Sequence, residues 1–224
     1  MSGIRIDEII RSKRKTLAIE VTGEALLIVR APLRMPKADI LDFIQKKKRW
    51  IEQKRQKAEE RLMMQVPREF VDGEKFLYLG DAYRLSIAQH DGTPLSFDGR
   101  FRLSRAHLEN ARSLFVEWYK TRAKEVIHNR LLHFSGLSGI DFTLFRVTSA
   151  QKRWGSCNSR GNVHFSYRLI MAPLPVVDYV VVHELVHIEE KNHSSRFWQK
   201  VERILPDYRG RRAWLRNNGS LLVL

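Results

Sequence analysis

Residues 176 to 188 form an apolar stretch with a few polar groups set inside it. Val176, Val177, Tyr179, Val180, Val181, Val182, Leu185, Val186 and Ile188 surround His183, Glu184 and His187. A helix that is apolar almost all round packs in the interior of a domain. Two imidazoles and a carboxyl in that setting are costly unless a metal or a partner satisfies them. Histidines four apart on a helix lie on nearly the same face, one turn apart. Both rings can therefore reach one Zn²⁺, at roughly 2.0–2.1 Å from each nitrogen. Glu184 follows the first histidine and projects toward the metal's open side, where it can take a proton from zinc-bound water and hand it to a leaving amine.

A catalytic zinc usually takes a third protein ligand and leaves one position for water. His193 is the best candidate, six residues after His187. A straight helix would turn it away, so the chain must bend near Asn192, a residue type that tolerates the left-handed conformation ending helices. Ser194 or Ser195 can then cap a following helix through Phe197, Trp198, Val201 and Ile204. Glu202, and behind it Glu189, Glu190 or Asp207, are the rival ligands. The three-histidine spacing equals that of metzincins, but Glu190 stands where those have Gly, and Met171 precedes the helix rather than following it.

Upstream, the chain alternates strand and helix signals. Residues 16–21 and 25–29 flank Thr22-Gly23-Glu24 as a hairpin. One basic helix is expected near 36–64, with Ile40, Phe43, Ile44, Trp50 and Ile51 inward and Lys46 to Arg49, Lys54 and Arg55 outward. Residues 76–79 and 82–87 flank a turn at Gly80-Asp81, and Asp98-Gly99 marks another. A helix follows from about Arg105 to His133, ended by Gly136 and Gly139. Strands are expected at 142–147 and 163–170, then a new helix near Val176. The domain reading is a β-rich N-terminal region over 1–104 and a catalytic domain over 105–224.

The 224 residues suffice to bury a core. One Cys excludes an internal disulfide, so a secreted disulfide scaffold does not fit. No apolar run approaches the roughly 18 residues of a membrane span, and residues 1–7 lack a leader pattern, so the expectation is a cytoplasmic protein without a membrane partner. The net charge of +15 attracts polyanions. Basic runs at Arg11 to Lys15, Lys46 to Lys57 and Arg209 to Arg212 can contact phosphates, so nucleic acid is a candidate partner. A solvated basic face is the plainer reading. The sequence names no oligomeric state.

The stretch from Tyr179 to His187, then Asn192-His193-Ser194 and Phe197-Trp198, resembles the YgjP-like zinc metallopeptidases, relatives of the SprT and WLM proteases and of compact gluzincin-type peptidases. Arg153-Trp154-Gly155-Ser156-Cys157, residues 168–173, Pro206-Asp207-Tyr208 and Trp214-Leu215 carry the same resemblance. It implies a zinc-dependent hydrolase of peptide bonds, with His183, His187 and His193 on the metal and Glu184 as base. It implies an α+β, zincin-like core: a mostly antiparallel sheet, a backing helix, the active-site helix and a C-terminal helix. The alternatives are a nucleic-acid-binding protein with a closed structural zinc, perhaps adding Cys157, and a zinc hydrolase of non-peptide bonds.

In zincins a strand beside the active-site helix can pair with an extended substrate. Residues 163–167 are either that strand or an ordinary internal one. Cys157 reads first as a small packed residue in a turn. Tyr208 is a candidate oxyanion donor after Pro206-Asp207, or a packing residue. His164 stays off the metal.

Overall fold

The computed structural model describes residues 4–64, 68–89 and 92–224, so the first three residues of the N-terminal segment lie outside it. The chain divides into two compact units, Met1–Val66 and Pro67–Leu224. Each is a mixture of helix and strand, so the fold class is α+β. No helix among the described residues is long and apolar enough to cross a membrane.

In the first unit β1 (Glu8–Ser12), β2 (Ala18–Val21) and β3 (Leu27–Pro32) form a sheet in the order β1-β3-β2. The expected hairpin is there: β2 runs antiparallel to β3, with Val21 opposite Leu27. β1 adds parallel to β3 on the other side. Alternation on β3 places Leu27, Val29 and Ala31 in a core with Ile40, Ile44 and Ile51. The single basic helix is instead two, α1 (Lys37–Lys46) and α2 (Lys48–Met64). They break at Lys47, whose amide is shared between the carbonyls of Phe43 and Ile44. Two residues leave their expected faces. Trp50 is 40 % exposed, with the Lys54 ammonium 5.8 Å from its ring. Arg55 turns inward, donating to the Ala25 and Arg5 carbonyls and to Asp7.

The second unit begins with β4 (Lys75–Tyr78), β5 (Asp81–Ala88), β6 (Leu95–Phe97) and β7 (Phe101–Ser104), ordered β4-β5-β7-β6. A 28-residue helix, α3 (Ala111–Ser138), follows a short 3-10 segment, Arg105–Asn110. Its buried stripe of Ala111, Phe115, Tyr119, Ala123, Ile127, Leu131 and Phe134 repeats at intervals of three and four. Gly139, at φ 71°, ends it, and Gly136 lies within it.

The expected boundary near residue 104 falls inside this unit. Phe76 and Phe101, before that point, stack with Phe115, after it, at centroid distances of 4.2 and 5.0 Å. The β4–β5 turn is also docked on the later chain. Leu79 and Gly80 donate to the carbonyls of Ile170 and Met171 at 2.8 and 3.2 Å. The turn residues are Leu79 and Gly80, since Tyr78 pairs with Asp81. Both have positive φ, 50° and 95°, the requirement of the tight hairpin turn whose twist matches the strands.

The remaining elements complete the second unit. They are β8 (Leu144–Thr148), β9 (Gly155–Cys157), β10 (Asn162–Ser166), α4 (Leu174–Glu189), α5 (Ser195–Ile204) and α6 (Tyr208–Asn218). The sheet order is β8-β10-β9, with one parallel and one antiparallel pairing, so this sheet is mixed. The strand expected over 163–170 stops at Ser166, whose hydroxyl accepts from Arg168 N and starts a 3-10 turn, Tyr167–Met171. β9 is a strand where a loop was expected. Asp178 on α4 accepts two hydrogen bonds from Arg130 on α3, at 2.6 and 3.0 Å, and faces Arg211 of α6 at 3.7 Å.

A Cβ on Gly80 would lie 2.9 Å from Pro173 at the start of α4. Gly80→Ala combines that overlap with a left-handed backbone, and is expected to cost about 2 kcal/mol of unfolding free energy. Urea denaturation of the variant beside the wild type measures it.

Candidate metal centre

α4 starts at Pro173 and Pro175, where missing amides cost nothing in a first helical turn. Val176 to Val182, Leu185 and Val186 are buried, which holds the helix inside the domain. His183 and His187 then share one face, with Nε2 atoms 3.2 Å apart. The helix ends at Glu189, and Glu190 turns the chain at φ −113° and ψ 100°. The bend therefore lies two residues earlier than expected, and Asn192 is not left-handed; its Oδ1 accepts instead from Ser194 N at 3.2 Å. Lys191 caps the helix end, donating to the carbonyls of His187 and Ile188 at 3.1 and 2.6 Å. Ser194 caps α5, its hydroxyl accepting from Phe197 N.

This short turn carries His193 back over the helix. Its Nε2 lies 3.0 Å from that of His183 and 3.2 Å from that of His187. The three nitrogens form a nearly equilateral triangle. Donors of a tetrahedral zinc with bonds of roughly 2.0–2.1 Å stand roughly 3.3 Å apart, so the triangle fits one face of such a site. Hydrogen bonds do not account for it. His187 Nδ1 lies 2.9 Å from the Glu190 carbonyl, which acts only as acceptor, so that ring carries its proton on Nδ1 and turns a lone pair inward. That lone pair, with the Nε2 atoms of His183 and His193 beside it, suits a cation. The buried Phe197 ring lies against all three imidazoles, at 4.9, 4.5 and 4.8 Å. Trp198 stacks on His193 at 5.6 Å, and Tyr208 stacks on Trp198 at 5.4 Å.

The electrostatics favour neutral rings. Burial, then the neighbouring His187, His193 and Arg212, push the His183 pKa down to about 3. Burial also lowers that of His193. Glu184, 6 % exposed, is pushed up to about 8 by burial, opposed by Arg153. Its carboxyl presses on β9. A Cβ on Gly155 would stand 2.6 Å from both Cγ and Oε1 of Glu184. Only glycine leaves this room, a role the sequence did not disclose because residues 155–157 read as a loop.

The rival ligands are engaged elsewhere. Glu202 pairs with Arg209, Asp207 with Arg211, Glu189 with Lys200, and Glu190 with Lys200 and Arg196. Cys157 is outside the triad on β9, its thiol pKa raised by burial and its Sγ donating to the Asn158 carbonyl. Tyr208 begins α6 rather than lying in a loop, and its hydroxyl accepts from Arg209. His164 sits mid-strand on β10. β10 is paired on both edges, to β8 and β9, so residues 163–166 are an internal strand and not a free edge for substrate, and Tyr167 already belongs to the 3-10 turn.

The sequence profile of the YgjP-like family, described as a metallopeptidase domain, matches residues 15–218. None of the curated proteins matches the chain. Among solved structures, the metallopeptidase zymogen abylysin of Pyrococcus abyssi is similar at a TM-score of 0.38 and 21 % identity, over 42 % of this chain and 94 % of that one. A likeness that low carries no argument about this chain.

Stability against pH reports the two buried groups. Between 4.5 and 8 the folded Glu184 keeps a proton that the unfolded chain has lost, so stability falls as pH rises through that window. Between 3 and 6.5 the unfolded chain binds a proton that folded His183 refuses, so stability rises with pH there. The contributions oppose each other between 4.5 and 6.5. Chelator-treated protein is therefore expected to lose stability from about pH 6.5 to 8, and Glu184→Gln to remove that loss. Urea titrations at stepped pH test this; a continued rise to pH 8 contradicts a buried acid.

Proposed function

The chain belongs to the YgjP-like family of metallopeptidases, and on that premise we propose that His183, His187 and His193 hold a catalytic zinc and that Glu184 is the general base of peptide-bond hydrolysis. The family implies a divalent metal and a peptide or protein substrate. The observation that carries the finer reading is the triangle of three Nε2 atoms at 3.0 to 3.2 Å, with no fourth ligand side chain in the cluster among the described residues. Three donors leave a position for a reacting water, which separates a catalytic site from a closed structural one.

When bound, zinc polarises the scissile carbonyl and brings the pKa of a water to about 7. The chain's own residues do the rest. His187 is held in the ligating tautomer by the Glu190 carbonyl 2.9 Å from its Nδ1. Phe197 and Trp198 fix the ring planes and keep bulk water from beneath the site. Glu184 accepts the proton of the attacking water on its carboxylate and returns it to the departing amine nitrogen. The buried carboxyl ionises more readily with a dication beside it, so the enzyme works at a pH where metal-free Glu184 is protonated.

β9 offers the surface for the peptide. In the order β8-β10-β9 its outer edge is unpaired among the described strands, and Gly155 on it touches Glu184. An extended peptide adding to this edge brings its carbonyls past the base, with main-chain hydrogen bonds setting the register.

Glu184→Gln is expected to retain one equivalent of zinc while lowering kcat by about 10³-fold. His183→Ala is expected to lose the metal. Zinc content by mass spectrometry beside peptide hydrolysis separates the two, and turnover undiminished in Glu184→Gln would remove the base assignment. Gly155→Ala displaces the carboxyl without touching a ligand. It is expected to keep zinc, leave KM near wild type and lower kcat by about 10²-fold, the usual effect of a misplacement near 1 Å.

A further inference from the structure

The carboxylates around the cleft are nearly all neutralised by neighbours, and two arginines are not. Glu189 and Glu190 are taken by Lys200 and Arg196. Glu202 is taken by Arg209, Asp207 by Arg211, and Asp178 by Arg130. Arg153 and Arg212 are exposed, and neither pairs with a carboxylate among the described residues.

Both sit at the metal site, from different elements. Arg212 lies on α6 one turn after Tyr208, with its guanidinium 4.5 Å from the ring centre of Trp198, the ring that stacks on His193. That contact restrains a side chain that would otherwise sweep through solvent. Arg153 stands two residues before Gly155 of β9, where an added Cβ would lie 2.6 Å from Oε1 of Glu184. One arginine thus borders the imidazole wall through Trp198, and the other borders the strand that abuts Glu184. Lys191, engaged by the His187 and Ile188 carbonyls, adds a third positive charge at the end of α4.

We propose that Arg153 and Arg212 form a carboxylate-recognising rim, so that the enzyme selects peptide segments carrying a carboxylate within a residue or two of the scissile bond. The guanidinium fork matches a carboxylate with two parallel hydrogen bonds. The net charge of +15 steers acidic chains toward the cleft. The recognised group is an Asp or Glu side chain or a free C-terminus, which share this chemistry. The inference rests on the cleft being a peptidase site.

The test uses zinc-loaded full-length enzyme and matched peptides with Glu or Gln at each position within two residues of the cleaved bond, each with a free or an amidated C-terminus. The wild type is expected to favour Glu over Gln, or the free over the amidated terminus, by about tenfold in kcat/KM at low salt, mainly through KM. Arg212→Gln and Arg153→Gln are each expected to reduce that ratio to about twofold at the position served, with zinc content unchanged. Whichever of side chain or terminus carries the ratio is the recognised source. Titration of the uncleaved peptides into Glu184→Gln is expected to give the same ratios in Kd. Equal treatment of all matched pairs, or a preference that survives both arginine substitutions, overturns the rim. If no peptide is cleaved, the peptidase reading fails, while the Kd ratios still decide whether the arginines bind carboxylates.

Discussion

Helix α4 carries two imidazoles and a carboxyl into a hydrophobic interior, and the catalytic half of the protein is arranged around that burden. Its valines make the helix an interior element, where polar groups without partners are costly. His183 Nδ1 is buried without a hydrogen-bond partner, and two features of the geometry answer to the remaining polar atoms. The histidine Nε2 atoms converge with a third from outside the helix, and the carboxyl is given a recess by the missing side chain of Gly155. The first comes from the short turn after the helix and the second from a strand 29 residues before Glu184.

Convergence depends on a short, heavily bonded turn. Five residues after α4, from Glu190 to Ser194, reverse the chain, and nearly every polar group in them is used. Lys191 closes the helix end, the Glu190 carbonyl fixes the His187 tautomer, Asn192 bonds Ser194, and Ser194 starts α5. The same helix start places Phe197 beneath all three rings. Packing and capping thus set the positions of the three imidazoles, so the entropy of ordering them is lost on folding.

Charge acts at two ranges. Close in, burial raises Glu184 and lowers His183, which opposes the protonation states hydrolysis requires at the carboxylate and supports them at the ring. Further out, the carboxylates of Glu189, Glu202 and Asp207 are matched by arginine and lysine neighbours, leaving positive charge on the rim. A site with a buried acid needing a cation, and a rim offering cations to an anion, divides its roles by depth.

The local signals were legible where they depend on period and spacing. His183 and His187 share a face because a helix has 3.6 residues per turn, Ser194 caps because hydroxyls accept free amides, and the hairpins at 18–32 and 95–104 follow from alternation and glycine. The break at Lys47, the short strand at Gly155–Cys157 and the end of β10 at Ser166 were not legible, because each is fixed by contacts with distant chain. The unit boundary belongs with them: the β4–β5 turn is bound by Ile170 and Met171 amid an aromatic core that spans residue 104. By itself the sequence determined which residues have the chemistry to ligate and to move a proton. Only the tertiary structure decided that His193 meets the helix pair, that Glu184 lies against a glycine, and that Arg212 stacks on the Trp198 ring beside His193, because proximity between separate elements comes from packing and not from pattern.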